Sequence, residues 1–188
     1  MTTGYQIKEQ DALYYMTLQI VDWVDIFTRP VYRDILIDSL QHCIKQKGLQ
    51  VFAYVIMSNH LHLIVQSSIA DLSGTIRDFK KYTAKRIIET AEVTPESRRE
   101  WMLNQFRYNA TKHQRNSRYQ VWTHENHAIL LYSNNFIAEK IEYIHQNPVR
   151  AKIVENAEDY LYSSARNYAS LPSMLDIEVL VLPVVIVK

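Results

Sequence analysis

The chain has 188 residues, 47% of them hydrophobic, with only 3 Gly and 5 Pro, which supports a packed core and excludes a low-complexity or disordered chain. Net charge is +1, and the single cysteine, Cys43, excludes an intramolecular disulfide framework. That usage suits a reducing compartment. The first residues lack the basic start and apolar run of a secretory leader. The one strongly apolar stretch, 179–187, is too short to span a bilayer, so the expectation is a cytoplasmic protein.

Charge is unevenly spread. Residues 77–118 hold eleven Lys/Arg against five Asp/Glu, a net +6, leaving ten against fifteen elsewhere. A basic middle on a nearly neutral chain points to a local anionic partner. Arg77, Lys80, Lys81, Lys85, Arg115 and Arg118 are the candidate contacts. Tyr82, Tyr108 and Tyr119 stand among these cations, an interleaving that suits stacking of unpaired bases.

In chain order, 13–21 reads as a strand, and a loop with Trp23 follows. Thr28 and Pro30 mark a helix start. Leu36, Ile37, Leu40, Cys43 and Ile44 repeat at helical spacing, and Gly48 terminates the helix. Residues 51–66 read as a hairpin with a tight turn at Met57-Ser58-Asn59. Its second strand carries His60 and His62. Residues two apart on a strand point to one side, so both imidazoles leave the sheet together while Leu61 and Leu63 enter the core. Imidazole is the commonest protein ligand for divalent metals, and two on one face make half a coordination site.

A second helix over 71–90 buries Leu72, Ile76, Phe79, Thr83 and Ile87. Strand–helix–strand–strand–helix opens an α+β, ferredoxin-like (RRM-like) antiparallel sheet, with helices packed on one face and the other free for a site. A short helix over 100–108, a polar loop over 109–118 and two short strands, 119–122 and 128–132, come next. Asn134 is a candidate cap for a helix over 136–146. On it, Tyr143 and Asn147 are four apart and share a face. Pro148 bends or ends the helix there. A last helix over 158–168 leads to a tail, 173–188, beyond a single domain of 1–172.

Three segments together carry a resemblance. They are Met57-Ser-Asn-His-Leu-His-Leu-Ile-Val65, Tyr143-Ile-His-Gln-Asn-Pro-Val-Arg-Ala-Lys-Ile-Val154 and Tyr162-Ser-Ser-Ala-Arg166. The first resembles the His-hydrophobic-His signature of the HUH single-strand endonucleases. The ordered set closely resembles the REP-associated tyrosine transposases, over roughly residues 10–170. The resemblance implies that Tyr143 is a nucleophile and that His60 and His62 hold Mg²⁺ or Mn²⁺. Asn147 falls where relatives place a third, amide ligand, often glutamine; Gln146, one position earlier, is the alternative. It also implies an enzyme that nicks and rejoins single-stranded DNA through a 5′-phosphotyrosine, and that recognises hairpin DNA of the repetitive extragenic palindrome type through basic regions. Insertion-sequence relatives commonly act as dimers and REP-associated members as monomers, so monomer and homodimer both stand.

The chemistry suits such residues. A phosphodiester is anionic and its ester oxygen leaves poorly, so a metal and positioned donors favour in-line attack. A covalent tyrosine link conserves the bond energy for rejoining. Two other readings stand beside it: a metal-dependent phosphodiesterase that uses water, and a non-catalytic hairpin-binding module on the same fold. His145 reads as structural or as a support for the site; His124 and His127 are loop candidates for DNA contact.

Overall fold

The computed structural model describes residues 6–112 and 118–182. The first strand, β1 (Tyr14–Gln19), lies inside a four-stranded sheet. Two single 3₁₀ turns, Val21–Trp23 and Ile26–Thr28, lead to α1 (Pro30–Lys47). Proline opens this helix because its missing N–H would have had no intrahelical partner. Gly48 closes it in the left-handed region (φ 61°), where a Cβ would meet Ser68 Oγ at 2.6 Å. β2 (Leu49–Ile56) and β3 (His60–Ser67) form the expected hairpin. α2 (Leu72–Val93) is capped by the Asp71 carboxylate, which accepts from the Gly74 N–H.

Then come α3 (Arg99–Thr111), a two-residue β4 (Ile129–Leu130) and α4 (Asn134–His145). The cap of α4 is Ser133, one residue earlier than expected, with its side chain accepting from Phe136 N–H. α5 (Asn147–Arg150) follows directly, with Pro148 in its first turn. The break before Pro148 is where the sequence places it.

The sheet order is β2-β3-β1-β4 and every pairing is antiparallel. That is the split βαβ arrangement, so the fold is α+β and ferredoxin-like. Of the two short strands expected late in the chain, 128–132 supplies β4. Residues 119–122 make only the single bridge Ile20↔Trp122. The Trp122 indole instead turns to α2 and donates to Thr83 Oγ1 at 2.9 Å.

The two faces of the sheet differ. Met16, Leu18, Leu61, Leu63 and Val65 are wholly buried. α1 and α2, packed on each other with α1 against β2, supply that layer. The other face carries the histidines and, unlike the free face expected from the sequence, is partly covered. α4 lies across β2 and β3 there and brings Tyr143 to His62.

The expected final helix over 158–168 is replaced by a 3₁₀ turn, Ala157–Asp159, an extended segment and a short α6 (Ala165–Tyr168). The reason is the free edge of β2. Ile56 N–H donates to Tyr162 O, Ser164 N–H donates to Tyr54 O, and Ser163 bridges Val55. Pairing this edge satisfies main-chain groups that would otherwise be orphaned, and that outweighs helical spacing. The described part of the tail runs on alongside. Leu175 is buried, and Glu178 N–H donates to Val51 O. Among the described residues no helix is long and apolar enough to cross a membrane.

Candidate active site

Register decides which residues meet. Thr17 stands opposite His62, and Gln19 opposite His60. Alternation then puts Tyr15 and Thr17 of β1 on the same face as the histidines. Tyr15 Oη and Thr17 Oγ1 both lie 2.9 Å from His62 Nδ1. The His60 and His62 rings sit 4.6 Å apart, centroid to centroid, edge to face. From α4, the Tyr143 ring stands edge-on to His62 at 5.5 Å and to Tyr15 at 6.2 Å. The structure therefore brings together three of the residues singled out in the sequence: His60, His62 and Tyr143. Tyr143 is 40% exposed and so is open to solvent.

The imidazoles are prepared as lone-pair donors. Asn59 Nδ2 donates to Trp23 O at 3.3 Å, which leaves Asn59 Oδ1 facing His60 Nδ1 at 2.7 Å. An amide oxygen only accepts, so His60 carries its proton on Nδ1 and keeps the Nε2 lone pair. Hydroxyls against His62 Nδ1 fix that ring in the way second partners orient metal ligands. Burial lowers the His60 imidazole to about 4. Burial, with the neighbouring His60 and Arg150, lowers His62 to about 3. Both are neutral at pH 7, the state a metal requires. Burial raises the Tyr15 phenol to about 12, so it remains a neutral hydroxyl.

Among the described residues no three His, Cys, Asp or Glu side chains form a metal-holding group. A third protein donor for such an ion would be of another kind, such as an amide oxygen. Asn147 opens α5 and Gln146 is the residue between the two helices. Two neutral imidazoles plus an amide oxygen fit a divalent cation that keeps open positions.

Cations flank the phenol. The Arg150 guanidinium lies 4.4 Å from the centre of the Tyr143 ring, and its Nη2 donates to Tyr143 O at 2.8 Å. Lys140 Nζ is 5.8 Å from the same ring. Sequence reasoning passed over Arg150, Lys140, Asn59, Tyr15 and Thr17. For Tyr15 and Thr17 the signal was alternation on β1; for Arg150 it was a basic residue just past a proline-broken helix.

His145 is buried on another face of α4, with Nε2 2.9 Å from Ser164 Oγ, and burial lowers it to about 4. Its surroundings are structural.

The basic candidates lie elsewhere. Arg77, Lys81 and Lys85 are exposed on α2. Arg77 pairs with Asp78 at 3.1 Å, and Lys85 lies 3.7 Å from Glu89. Arg118 lies 5.3 Å from the Tyr119 ring centre. A cleft of about 1040 Å³ between α2 and 119–127 is lined by Arg77, Lys81, Tyr119 and His124, among others. Lys80 differs: its Nζ donates to Thr123 O and Asn126 Oδ1, both at 2.7 Å, and burial lowers it to about 8. It fastens the 123–126 segment to α2 rather than facing outward. Arg115 lies outside the described residues.

Comparison with known proteins follows the same lines. A family model described as "Transposase IS200 like" matches residues 14–147. A solved REP-associated tyrosine transposase bound to a REP hairpin aligns over 100% of both chains at 15% identity, with a TM-score of 0.58, and so shares the fold. A protein from Deinococcus radiodurans, described provisionally as a transposase, covers 77% of this chain and 95% of its own at 16% identity, with a TM-score of 0.42. No curated protein matches. The family model runs from the first strand to the residue opening α5, well over half of the sequence, and the chain belongs to the IS200-like transposases.

Proposed function

We propose that the protein nicks and rejoins single-stranded DNA beside a hairpin, with Tyr143 as nucleophile and a divalent ion, Mg²⁺ or Mn²⁺, held by His60, His62 and an amide oxygen of Asn147 or Gln146. The observation that carries this is the ring cluster: a solvent-open phenol 5.5 Å from one of two paired, neutral imidazoles. When bound, the ion would offset charge on the phosphate and orient it. The chain's own residues do the rest. Asn59, Tyr15 and Thr17 hold the imidazoles, and Arg150 and Lys140 present positive charge to an incoming phosphodiester. Tyr143 Oη bonds to phosphorus and loses its proton. The P–O3′ bond breaks and the 3′ oxygen takes up a proton, leaving a 5′-phosphotyrosine and a free 3′-hydroxyl. A 3′-hydroxyl rejoins the strand by the reverse attack, and no ATP is needed.

Family membership supports a transposase role, and the REP hairpin held by the solved neighbour supports hairpin DNA as partner. On this reading the exposed cations of α2 (Arg77, Lys81, Lys85), with Arg118 and Arg115, contact DNA backbone, and Lys80 positions the segment beside them. The test uses labelled single-stranded hairpin DNA with Mg²⁺ or Mn²⁺ and a denaturing gel. A band of protein-plus-DNA mass is expected, absent with EDTA and in Tyr143→Phe. Cleavage without an adduct would assign the nucleophile to water. Binding without cleavage by any divalent ion would assign the chain to the hairpin-binding modules.

A further inference from the structure

Among the exposed aromatic side chains outside α2, three lie on the 21–23 turn and on α3, apart from Tyr132 and Tyr143. Trp23 is 63% exposed, Tyr108 61% and Trp101 46%. Trp23 is held there by unusual backbone. Asp22 and Trp23 both have positive φ, 48° and 56°, a region non-glycine residues rarely adopt and one that recurs at functional sites. Its carbonyl accepts from Asn59 Nδ2, the amide whose oxygen orients His60. One side chain therefore separates Trp23 from a candidate metal ligand.

The other two aromatics belong to α3, which packs on the 21–23 turn. Trp101 and Tyr108 are seven residues apart, close to two turns, so they share one side of the helix. Each has a cation at its ring, and each cation reaches back to the Trp23 loop. The Arg98 guanidinium lies 5.7 Å from the Trp101 ring centre and bonds Asp25 at 2.8 Å. Lys112 Nζ lies 4.3 Å from the Tyr108 ring centre and 3.9 Å from Asp22 Oδ1. Asn109 Nδ2 donates to the other Asp22 oxygen at 2.6 Å.

We infer that Trp23, Trp101 and Tyr108 form a stacking platform for unpaired bases of the strand that passes the active site. This rests on the reading of single-stranded DNA as substrate. The platform's cations are already paired with Asp22 and Asp25, so it offers π faces more than net charge. Base faces need an aromatic surface, whereas phosphates need unpaired cations. The strip thus offers ring faces to unpaired bases, while phosphate backbone falls to exposed cations such as Lys81 on α2.

The experiment measures binding of the full chain, in EDTA so that no cleavage occurs. Its probes are an oligo(dT) of about eight nucleotides and a blunt DNA hairpin with no unpaired flank, each over a range of salt. Trp23→Ala and Trp101→Ala are each expected to weaken oligo(dT) binding roughly tenfold or more. They should leave the slope of log affinity against log salt, and blunt-hairpin affinity, unchanged. Trp23→Phe should restore most of the loss. No oligo(dT) binding by the wild type, unchanged binding by both alanine variants, or an equal loss on the blunt hairpin would each overturn the platform. So would self-association of the wild type that disappears in Trp23→Ala, since the face would then belong to a second copy. Because binding is read without metal or cleavage, a failure of the Tyr143 chemistry shows only in the adduct gel. Trp-dependent oligo(dT) binding would survive that failure.

Discussion

Tyr143 stands in the last turn of α4, where a continuing helix would supply a main-chain donor to its carbonyl; Arg150 Nη2 donates there instead, while the guanidinium covers the ring. One residue thus closes the helix and fixes the phenol's side. Arg150→Ala is expected to slow adduct formation about tenfold or more, by losing both the fixed ring and a cation facing the phosphate. Arg150→Lys should recover part of the rate, since it keeps charge but not the planar fork. Single-turnover gels read both. Buried His145 makes a second residue-scale prediction. Its folded value, about 4, lies below the ordinary imidazole value of 6.5, so the unfolded chain binds its proton first as pH falls. The stability from keeping it neutral is complete above 6.5 and is lost between 6.5 and 4, to the extent of roughly 3 kcal/mol. His60 and His62 shift the same way. Denaturant midpoints across pH 4–7 should fall with acid, and less steeply in His145→Gln. At this scale the paired histidines were legible from their spacing on a strand, whereas Tyr143 was singled out by the resemblance its segment carries and not by its spacing. Arg150 was not, because a side-chain cap depends on where the chain turns after Pro148.

α4 is located by a clip as well as by packing. His145 Nε2 meets Ser164 Oγ, and that oxygen accepts from Tyr54 N–H at 2.9 Å and lies 3.2 Å from Tyr54 O. The tyrosine helix, β2 and the late extended segment therefore share one buried hydroxyl. Ser164→Ala leaves the imidazole and the Tyr54 N–H short of a partner, at a cost of about 1–3 kcal/mol. Urea midpoints should report this. Adduct formation should also fall if the clip sets the angle of α4. The central elements were readable because each carries a strong pattern: β-branched alternation in β2 and β3, apolar spacing and stop signals in α1 and α2. The segment 158–168 was misread because its burial follows an edge pairing. Tyr160, Tyr162, Ser163, Ser164 and Ala165 are all buried. Nothing local announces a partner strand more than a hundred positions earlier.

Across the whole molecule, the net +6 of residues 77–118 is spread over two surfaces. Around α3, Arg98 and Lys112 are matched by Asp25 and Asp22. On α2, Lys81 faces solvent, and exposed Lys85 has Glu89 3.7 Å away. Lys81→Ala and Lys85→Ala are expected to weaken hairpin binding irrespective of sequence, and each to lower the salt slope by about 1. Fluorescence anisotropy over a salt series checks this. Composition alone could not have separated the surfaces, since pairing across 22–25 and 98–112 is set by the fold. The same long-range closure governs how the chain comes to be folded. Residues 51–56 are an uncharged, β-prone hexapeptide of the kind that self-assembles when its backbone is bare, and the segment that covers them includes Ser164, 110 positions after Tyr54. During synthesis this tract waits, with one side unprotected, until the segment that includes Ser164 has left the ribosome. Chains interrupted before residue 160 should accumulate as insoluble aggregates, and growth at low temperature or co-expressed chaperones should rescue the full-length protein but not these fragments.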